Sequence, residues 1–447
     1  MAYIPNTDAD RRKMLNVIGV SSIDDLFDTI PKDLQFQGEL NIPPRMDQIT
    51  LARHATRLAA ANANAVDMPC FMGAGIYDHY VPPTVAAITG RSEFYTSYTP
   101  YQPEVSQGVL QSIFEFQTLV CELTNMEVAN ASMYDAATAM AEASIMASDL
   151  TGRKQIVFAG RVTRNYRKVV ETYTRHMGLD LVVVAAPDGT IDFDAVRKAV
   201  STSTAAVIAQ NPNFLGQIED METVGKIAHE HGALFIAGVD PISLGLLTPP
   251  GSYDADIVVA EGQSLGCTMG YGGPLLGIFA CKQQYIRRLP GRIVGQTTDA
   301  DGKRAFVMTL RTREQDIRRE RATSNICTNV ALYALAACVY MATMGKQGIR
   351  QVAELCLQKS HYAAEQIAAL PGFSLPYGAP FFKEFVVKTP KPAEAINDAL
   401  FDRGIIGGFP LTDALPELGN SMLVCVTEQR TKEEIDAFVK ALAEVTK

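Results

Sequence analysis

No lysine occurs between Lys226 and Lys282 in this chain of 447 residues. The gap spans "DIVVAEGQSLGCTMGYGGPLLGIFA" (256–280), which reads as an apolar strand, a polar turn, a glycine-rich loop and a second apolar strand. Many α/β enzymes present a reactive side chain from such a loop, where a lysine amine could hold an aldehyde cofactor. Other absences set further bounds. The eight cysteines include no C-x-x-C pair, which suits reduced cytosolic thiols better than disulfides or a zinc site. No signal pattern opens the chain, and no apolar run reaches the length of a membrane span. The expectation is a cytoplasmic protein with no membrane partner. There is no internal repeat and no low-complexity tract. A formal net charge of -9 argues against nucleic acid as a partner, because phosphate binding needs a basic footprint.

The residues present describe a globular chain. Hydrophobic residues are 47% and charged residues 20%, which excludes wholesale disorder. The length favours more than one domain. Residues 8–29 read as two short helices, capped by Thr7 or Asp8 and by Ser21–Ser22, and residues 46–63 as a longer one. From about residue 135, short apolar strands alternate with amphipathic helices: "QIVFA", "LVVVA", "TAAVIAQ" and "ALFIAGV" are strands. That alternation predicts a mostly parallel sheet covered on both faces. "AFVMTL" (305–310) offers one more strand. A long helical stretch follows, and "EFVVKTP", "PAEAINDALFDRG", "MLVCVTE" and "TKEEIDAFVKALAEV" make a small C-terminal α+β domain. The expected divisions are 1–65, a helical segment; 66–325, the large α/β domain; and 326–447, the long helix with the small domain.

Several residue groups are candidates for a site. Asp240 ends a strand, where ligands of open α/β sheets bind, and could pair with a protonated ring nitrogen; the alternative is a cap on the turn into Pro241. Ser132, Tyr134, Asp135 and Thr138 stand at a helix start, which favours an anion. Asp135 could instead cap the helix, and an acid there would repel a phosphate. Tyr95, Tyr98, Tyr101, Gln102, Glu104 and Gln107 form a polar, tyrosine-rich loop like a binding wall. Arg311, Arg313, Arg318, Arg319 and Arg321 alternate with acids as in a solvated face. Thr323, Ser324 and Asn325 after them could cap the next helix or donate to a phosphate. His229 and His231 point to different sides of a helix, so a helix-end role is favoured over a shared metal. No metal site is expected.

Taken in order, an anion cup at a helix start, an aspartate at a strand end and a glycine-rich loop one strand later resemble the large domain of fold type I pyridoxal-phosphate enzymes. More narrowly, "YTPYQPEVSQGVLQSIFEFQTLVCELTNMEVANASMYDAATAMAEA", "EGQSLGCTMGYGGPLLGIFA" and "RRERATSNICTN" resemble the N-terminal, or alpha, subunit of the glycine cleavage system P-protein, the glycine decarboxylase. The resemblance implies a split enzyme, a glycine dehydrogenase (aminomethyl-transferring), whose beta subunit carries the lysine that holds pyridoxal phosphate (PLP). Here Gln263 and Ser264 stand where the beta-type loop has a His-Lys pair, so this chain supplies no catalytic lysine. Two departures stand out: Ala136 where glycine is expected, and "RVTRNY" without an expected His-Pro. The implied partners are the beta subunit, in an expected assembly of two alpha and two beta chains, and the lipoylated H-protein. The implied reaction is decarboxylation of glycine and transfer of its aminomethyl group to the lipoyl arm.

The resemblance carries residue roles as expectations. Tyr95, Tyr98, Tyr101, Gln102 and Glu104 line the glycine and lipoyl entry. Thr323, Ser324 and Asn325 donate to the partner's cofactor phosphate. Ser132, Asp135, Asp240, Gln263 and Ser264 form a vestigial cofactor pocket. Two rivals remain at this level: an autonomous enzyme using Lys226 or Lys282, and a non-catalytic scaffold or regulatory homologue.

Overall fold

The computed structural model describes residues 5–36, 38–326 and 328–446. It divides into two compact units, Met1–Ala63 and Asn64–Lys447. In the first, the helix Asp8–Ile18 starts in a capping box between Thr7 and Asp10 and stops at Gly19, whose φ of 88° suits a residue without a side chain. A second helix, Gln48–Ala59, is capped by Asp47. The helix expected after Ser21–Ser22 is only a 3₁₀ turn, Asp24–Phe27.

The second unit is built on a seven-stranded sheet. Its strands are β1 (Val128–Ala129), β2 (Gln155–Ala159), β3 (Asp180–Val184), β4 (Thr204–Asn211), β5 (Leu234–Val239), β6 (Ile257–Glu261) and β7 (Gly277–Cys281), in the order β1-β7-β6-β5-β4-β2-β3. β2 to β6 run parallel, and β7 pairs antiparallel with both β6 and β1. β5 and β6 are buried along their whole length, as continuous apolar runs covered on both faces must be. One core joins one set of sheet side chains, including Val207, Phe235 and Val258, to the helices around Val224 and Ala353. The other joins the opposite set, including Ile208, Ile236 and Val259, to the helix Ala136–Thr151. Alanines 136, 137, 139, 141, 143 and 147 of that helix are buried, and their small side chains let it lie close on the sheet.

The strand at Arg304–Thr309 exists, but it pairs with Ile293–Thr298 in a separate two-stranded ribbon. The long stretch Ala331–Ala368 is two helices joined at Gly345, whose φ is 59°. Beyond it, Glu384–Lys388, Phe409–Pro410 and Ser421–Cys425 form a three-stranded antiparallel sheet with its own core. The helix Lys432–Val445 covers it, starting in the capping box of Thr431 and Glu434. Among the described residues, no helix is long and apolar enough to cross a membrane.

Candidate functional site

A cavity opens at the carboxyl ends of β4, β5 and β6, the position where this sheet topology places ligands. Asp240 follows β5 and has two jobs. Its Oδ1 accepts from the Ile242 amide at 3.0 Å, closing the turn into Pro241, while its Oδ2 faces the Lys383 ammonium at 2.6 Å. Lys383 arrives from the edge of the small sheet and is buried. Its Nζ also lies 2.9 Å from His79 Nε2 and 3.5 Å from the centre of the Tyr77 ring, a cation–π arrangement. His79 Nδ1 lies 2.6 Å from Glu428 Oε2. Because lysine can only donate, Nε2 must accept, and Nδ1 carries the hydrogen toward Glu428. Burial disfavours the charged Lys383 amine, but the facing groups, Asp240 first among them with Cys425 and Cys356, together outweigh it and lift the pKa above the ordinary lysine value.

Glu384, next in sequence, turns the same way. Its Oε1 accepts from the Ala74 amide at 2.7 Å and its Oε2 from the Tyr77 hydroxyl at 2.8 Å; burial pushes its pKa up. A Cβ on Gly73 would sit 2.2 Å from that Oε1, so glycine is required there. Gln263 clips two loops together. It accepts from the Tyr77 amide at 3.0 Å and donates to the Tyr77 carbonyl at 3.0 Å and the Cys267 carbonyl at 2.7 Å. Ser264 Oγ is buried with no hydrogen-bond partner among the described residues.

At the helix start, the Ala136 and Thr138 amides are taken by side chains of the chain itself. Asp135 is the N-cap and accepts from the Thr138 amide at 2.7 Å, as its position suggested. Glu261, the last residue of β6, accepts from Ala136 N at 3.1 Å through Oε2, and from Gln263 N at 3.1 Å and Leu276 N at 2.9 Å through Oε1. Burial pushes the Glu261 carboxyl up to about 7. Gly277 lets β7 pass this corner, since a Cβ there would meet Met133 Cβ at 2.5 Å and Asp135 O at 2.6 Å. Ser132, with φ 147°, turns away from the cavity: its Oγ accepts from Val330 N at 3.2 Å at the head of the long helix.

The tyrosine-rich segment lines a different groove, of about 240 Å³, between residues 94–100 and the helices at 109–113 and 331–335. Tyr95 and Tyr98 are 69% and 78% exposed, and Gln102 and Glu104 are exposed as well. Tyr101 is anchored beneath: the buried Arg292 donates to its hydroxyl at 2.8 Å and to Thr99 Oγ1 at 3.2 Å. Thr323, Ser324 and Asn325 do not cap the next helix, which starts at Ala331 without a side-chain cap. Ser324 Oγ accepts from Ile326 N instead, and Asn325 accepts from Gln315. Thr323 borders a small cleft with Glu142, Asp149 and Arg288.

Neither lysine flanking the lysine-free stretch reaches the cavity. Lys226 pairs with Glu222 on an exposed helix face, and Lys282 pairs with Asp254 and Asp256 at 2.8 Å each. His229 joins that second cluster, 2.7 Å from Asp256, and His231 follows the helix end. Lys383, Glu384 and Glu261 escaped the sequence reading. The signal was there in "PFFKEFVVK", a charged pair flanked on both sides by apolar residues, but a lone lysine is ordinarily solvent-exposed.

The fold is that of type I pyridoxal-phosphate enzymes. A sphingosine-1-phosphate lyase from Burkholderia pseudomallei matches 93% of this chain and 94% of its own with a TM-score of 0.66, at only 16% identity. Much nearer is a crystal structure of glycine decarboxylase (P-protein) of the glycine cleavage system in inhibitor-bound form. It has a TM-score of 0.92 and 42% identity over 100% of both chains. The family profile "Glycine cleavage system P-protein" matches residues 1–442. The "Probable glycine dehydrogenase (decarboxylating) subunit 1" of Desulforamulus reducens is 50% identical over 446 residues, 100% of each chain. The chain belongs to the glycine cleavage system P-protein family, on its subunit 1 side.

PLP, the cofactor this family implies, does not fit this chain's own cavity. No lysine stands on the 262–276 loop to hold it, Glu261 and Asp135 take the Ala136 and Thr138 amides at the helix start, and Lys383 already neutralises Asp240.

Proposed function

We propose that this chain is the alpha half of a glycine decarboxylase that walls a site whose cofactor is held by a lysine-bearing beta subunit. The assembly decarboxylates glycine and passes the aminomethyl group to the lipoyl arm of H-protein, in the cytoplasm, as two alpha and two beta chains. The single observation that carries this reading is the contrast between a cavity with no loop lysine and a separate groove that leaves Tyr95 and Tyr98 exposed. When bound in the partner, PLP supplies the electron sink for the carbanion left by carbon dioxide.

This chain's residues have other tasks. Tyr95, Tyr98, Gln102 and Glu104 present hydroxyl, amide and carboxylate groups to the partner's pocket. Tyr101 sits between the Arg292 and Arg311 guanidiniums, 5.1 and 5.5 Å from its ring centre, so its hydroxyl is held in one place and helps hold the substrate in one orientation. Thr323, Ser324 and Asn325 stand on an irregular segment, and their hydroxyl and side-chain amide hydrogens suit a phosphate on the partner. The tyrosine rings exclude water until the lipoyl disulfide arrives. A pure scaffold has no need of this exposed polar wall.

The test is a reconstituted pair with Tyr95→Phe or Thr323→Ala in this chain. Exchange of labelled carbon dioxide into glycine should fall about tenfold or more, in line with loss of one positioned donor. Unchanged exchange in both would remove these residues from the chemistry and favour the scaffold reading.

A further inference from the structure

We propose that the cofactor cavity of this chain is closed from within. Lys383 occupies the station of a protonated ring nitrogen on Asp240, and Glu261 occupies the station of a phosphate at the start of the helix Ala136–Thr151. This goes beyond the reaction proposed above and does not depend on it.

Three independent observations carry the inference. The first is pairing. A strand-end aspartate would hold a cofactor by an ion pair to a ring N–H, and the Lys383 ammonium makes that pair at 2.6 Å. Glu261 takes the amides of Ala136, Gln263 and Leu276 with its two oxygens, much as a phosphate takes backbone donors at a helix start. The second is charge. Lys383 is the one cation among the described residues lining the cavity, against Asp240, Glu261 and Glu384. An incoming dianion would meet acids and no free counter-charge. The third is space. About 40 Å³ remains open, enough for about three waters and far below the roughly 300 Å³ of a small ligand site.

Lys383 also cannot serve as a substitute anchor. Its amine sits at the ring-nitrogen station, and in pyridoxal phosphate the aldehyde lies across the ring from that nitrogen. The Asp240 contact keeps the amine protonated and therefore not nucleophilic. The internal ligands do structural work instead. Asp240 and Glu261 end β5 and β6, and Lys383 and Glu384 begin the small sheet, so the small sheet is keyed into the large one without a bound molecule.

Pyridoxamine 5′-phosphate is the suitable probe, because it keeps the ring nitrogen and phosphate and needs no lysine. Equilibrium dialysis against the full-length chain should find no saturable binding. Glu261→Ser with Lys383→Ala should bind the probe at least about a hundredfold more tightly, as expected when two mismatched buried charges are removed. Adding Asp240→Asn should abolish the gain. One equivalent bound to the unmodified chain and lost on Asp240→Asn would overturn the proposal, and so would a folded double variant that binds no better. Should the double variant fail to fold, the unmodified chain still decides. Treated with pyridoxal phosphate and borohydride, its Lys383 peptide should stay unlabelled, and stoichiometric labelling would refute the closed cavity.

Discussion

The cavity at the ends of β4, β5 and β6 and the groove beside Tyr98 both hold polar side chains, but they differ in how exposed those side chains are. In the cavity, Asp240, Lys383, His79, Glu428, Glu384 and Glu261 are bonded to one another or to backbone. In the groove, Ser97, Thr99, Ser112 and Asn329 bond within the chain, while the Tyr95 and Tyr98 rings are largely exposed and Tyr101 beside them is tethered to Arg292. A polar network that satisfies itself stiffens a fold. Exposed aromatic side chains on a loop are open to a ligand or a partner. The difference teaches that two polar regions of one fold can serve opposite ends under the function proposed above: the cavity's buried groups tie the fold together, while the exposed tyrosines stay open to a partner.

The comparison breaks most readily at Lys383. Lys383→Met leaves Asp240 buried without its counter-charge, and stability should fall by about 3–5 kcal/mol, read as a lowered urea midpoint. A variant as stable as the parent would mean that the ion pair does not hold the cavity. Asp240→Asn in the same chain should recover part of the loss, which a double-mutant cycle measures as coupling.

Glu261 gives a pH signature of the same region. Burial raises its folded pKa from the ordinary carboxylate range to about 7, so between those limits the folded chain binds the extra proton. Its contribution therefore favours the fold at the acid end and is lost as pH rises toward 7. In Glu261→Gln, the stability-versus-pH curve should lose that downward slope. An unchanged slope would show that the carboxylate is already ionised by its three amide donors.

A smaller effect is expected at His229, outside both regions. Its hydrogen bond to Asp256 raises its pKa above the ordinary histidine value. The added stability is complete below about 6.5 and disappears as pH climbs through the raised folded value. His229→Gln should lose under about 1 kcal/mol below that pH, and the loss should fade as pH climbs through the raised folded value, as suits a partly exposed pair.

Tyr98→Ala should change stability least, within about 0.5 kcal/mol, because the ring is mostly exposed. It should still cost the reconstituted pair a large share of its exchange activity. If Tyr98→Ala unfolded the chain, the contrast between a structural cavity and a functional groove would fail.

The sequence made some of this legible. The caps at Thr7, Asp135 and Thr431 depend on residues three apart, and all three form. The parallel strands could be read because burial on both faces leaves apolar runs with no alternation. Asp240 could be placed because a strand end is a local feature. Lys383 could not, since its meaning comes from Asp240 and His79, which are distant in sequence and meet only when the small sheet docks. Glu261 was hidden for a related reason: it ends an apolar strand like any turn residue, and its partners lie on a helix start and across the glycine loop. Ser132 looked like part of an anion cup, yet its φ of 147° turns the hydroxyl to Val330, a backbone choice that side-chain identity does not encode.

The central claim is that this chain is chemically incomplete and becomes half of an enzyme only beside a lysine-bearing relative. The most direct measurement is exchange of labelled carbon dioxide into glycine, with pyridoxal phosphate and lipoylated H-protein present. It would be run on this chain alone, on the lysine-bearing chain alone and on the two mixed. The account predicts exchange in the mixture, far above either separate chain. Full exchange by this chain alone, or none on mixing, would contradict it.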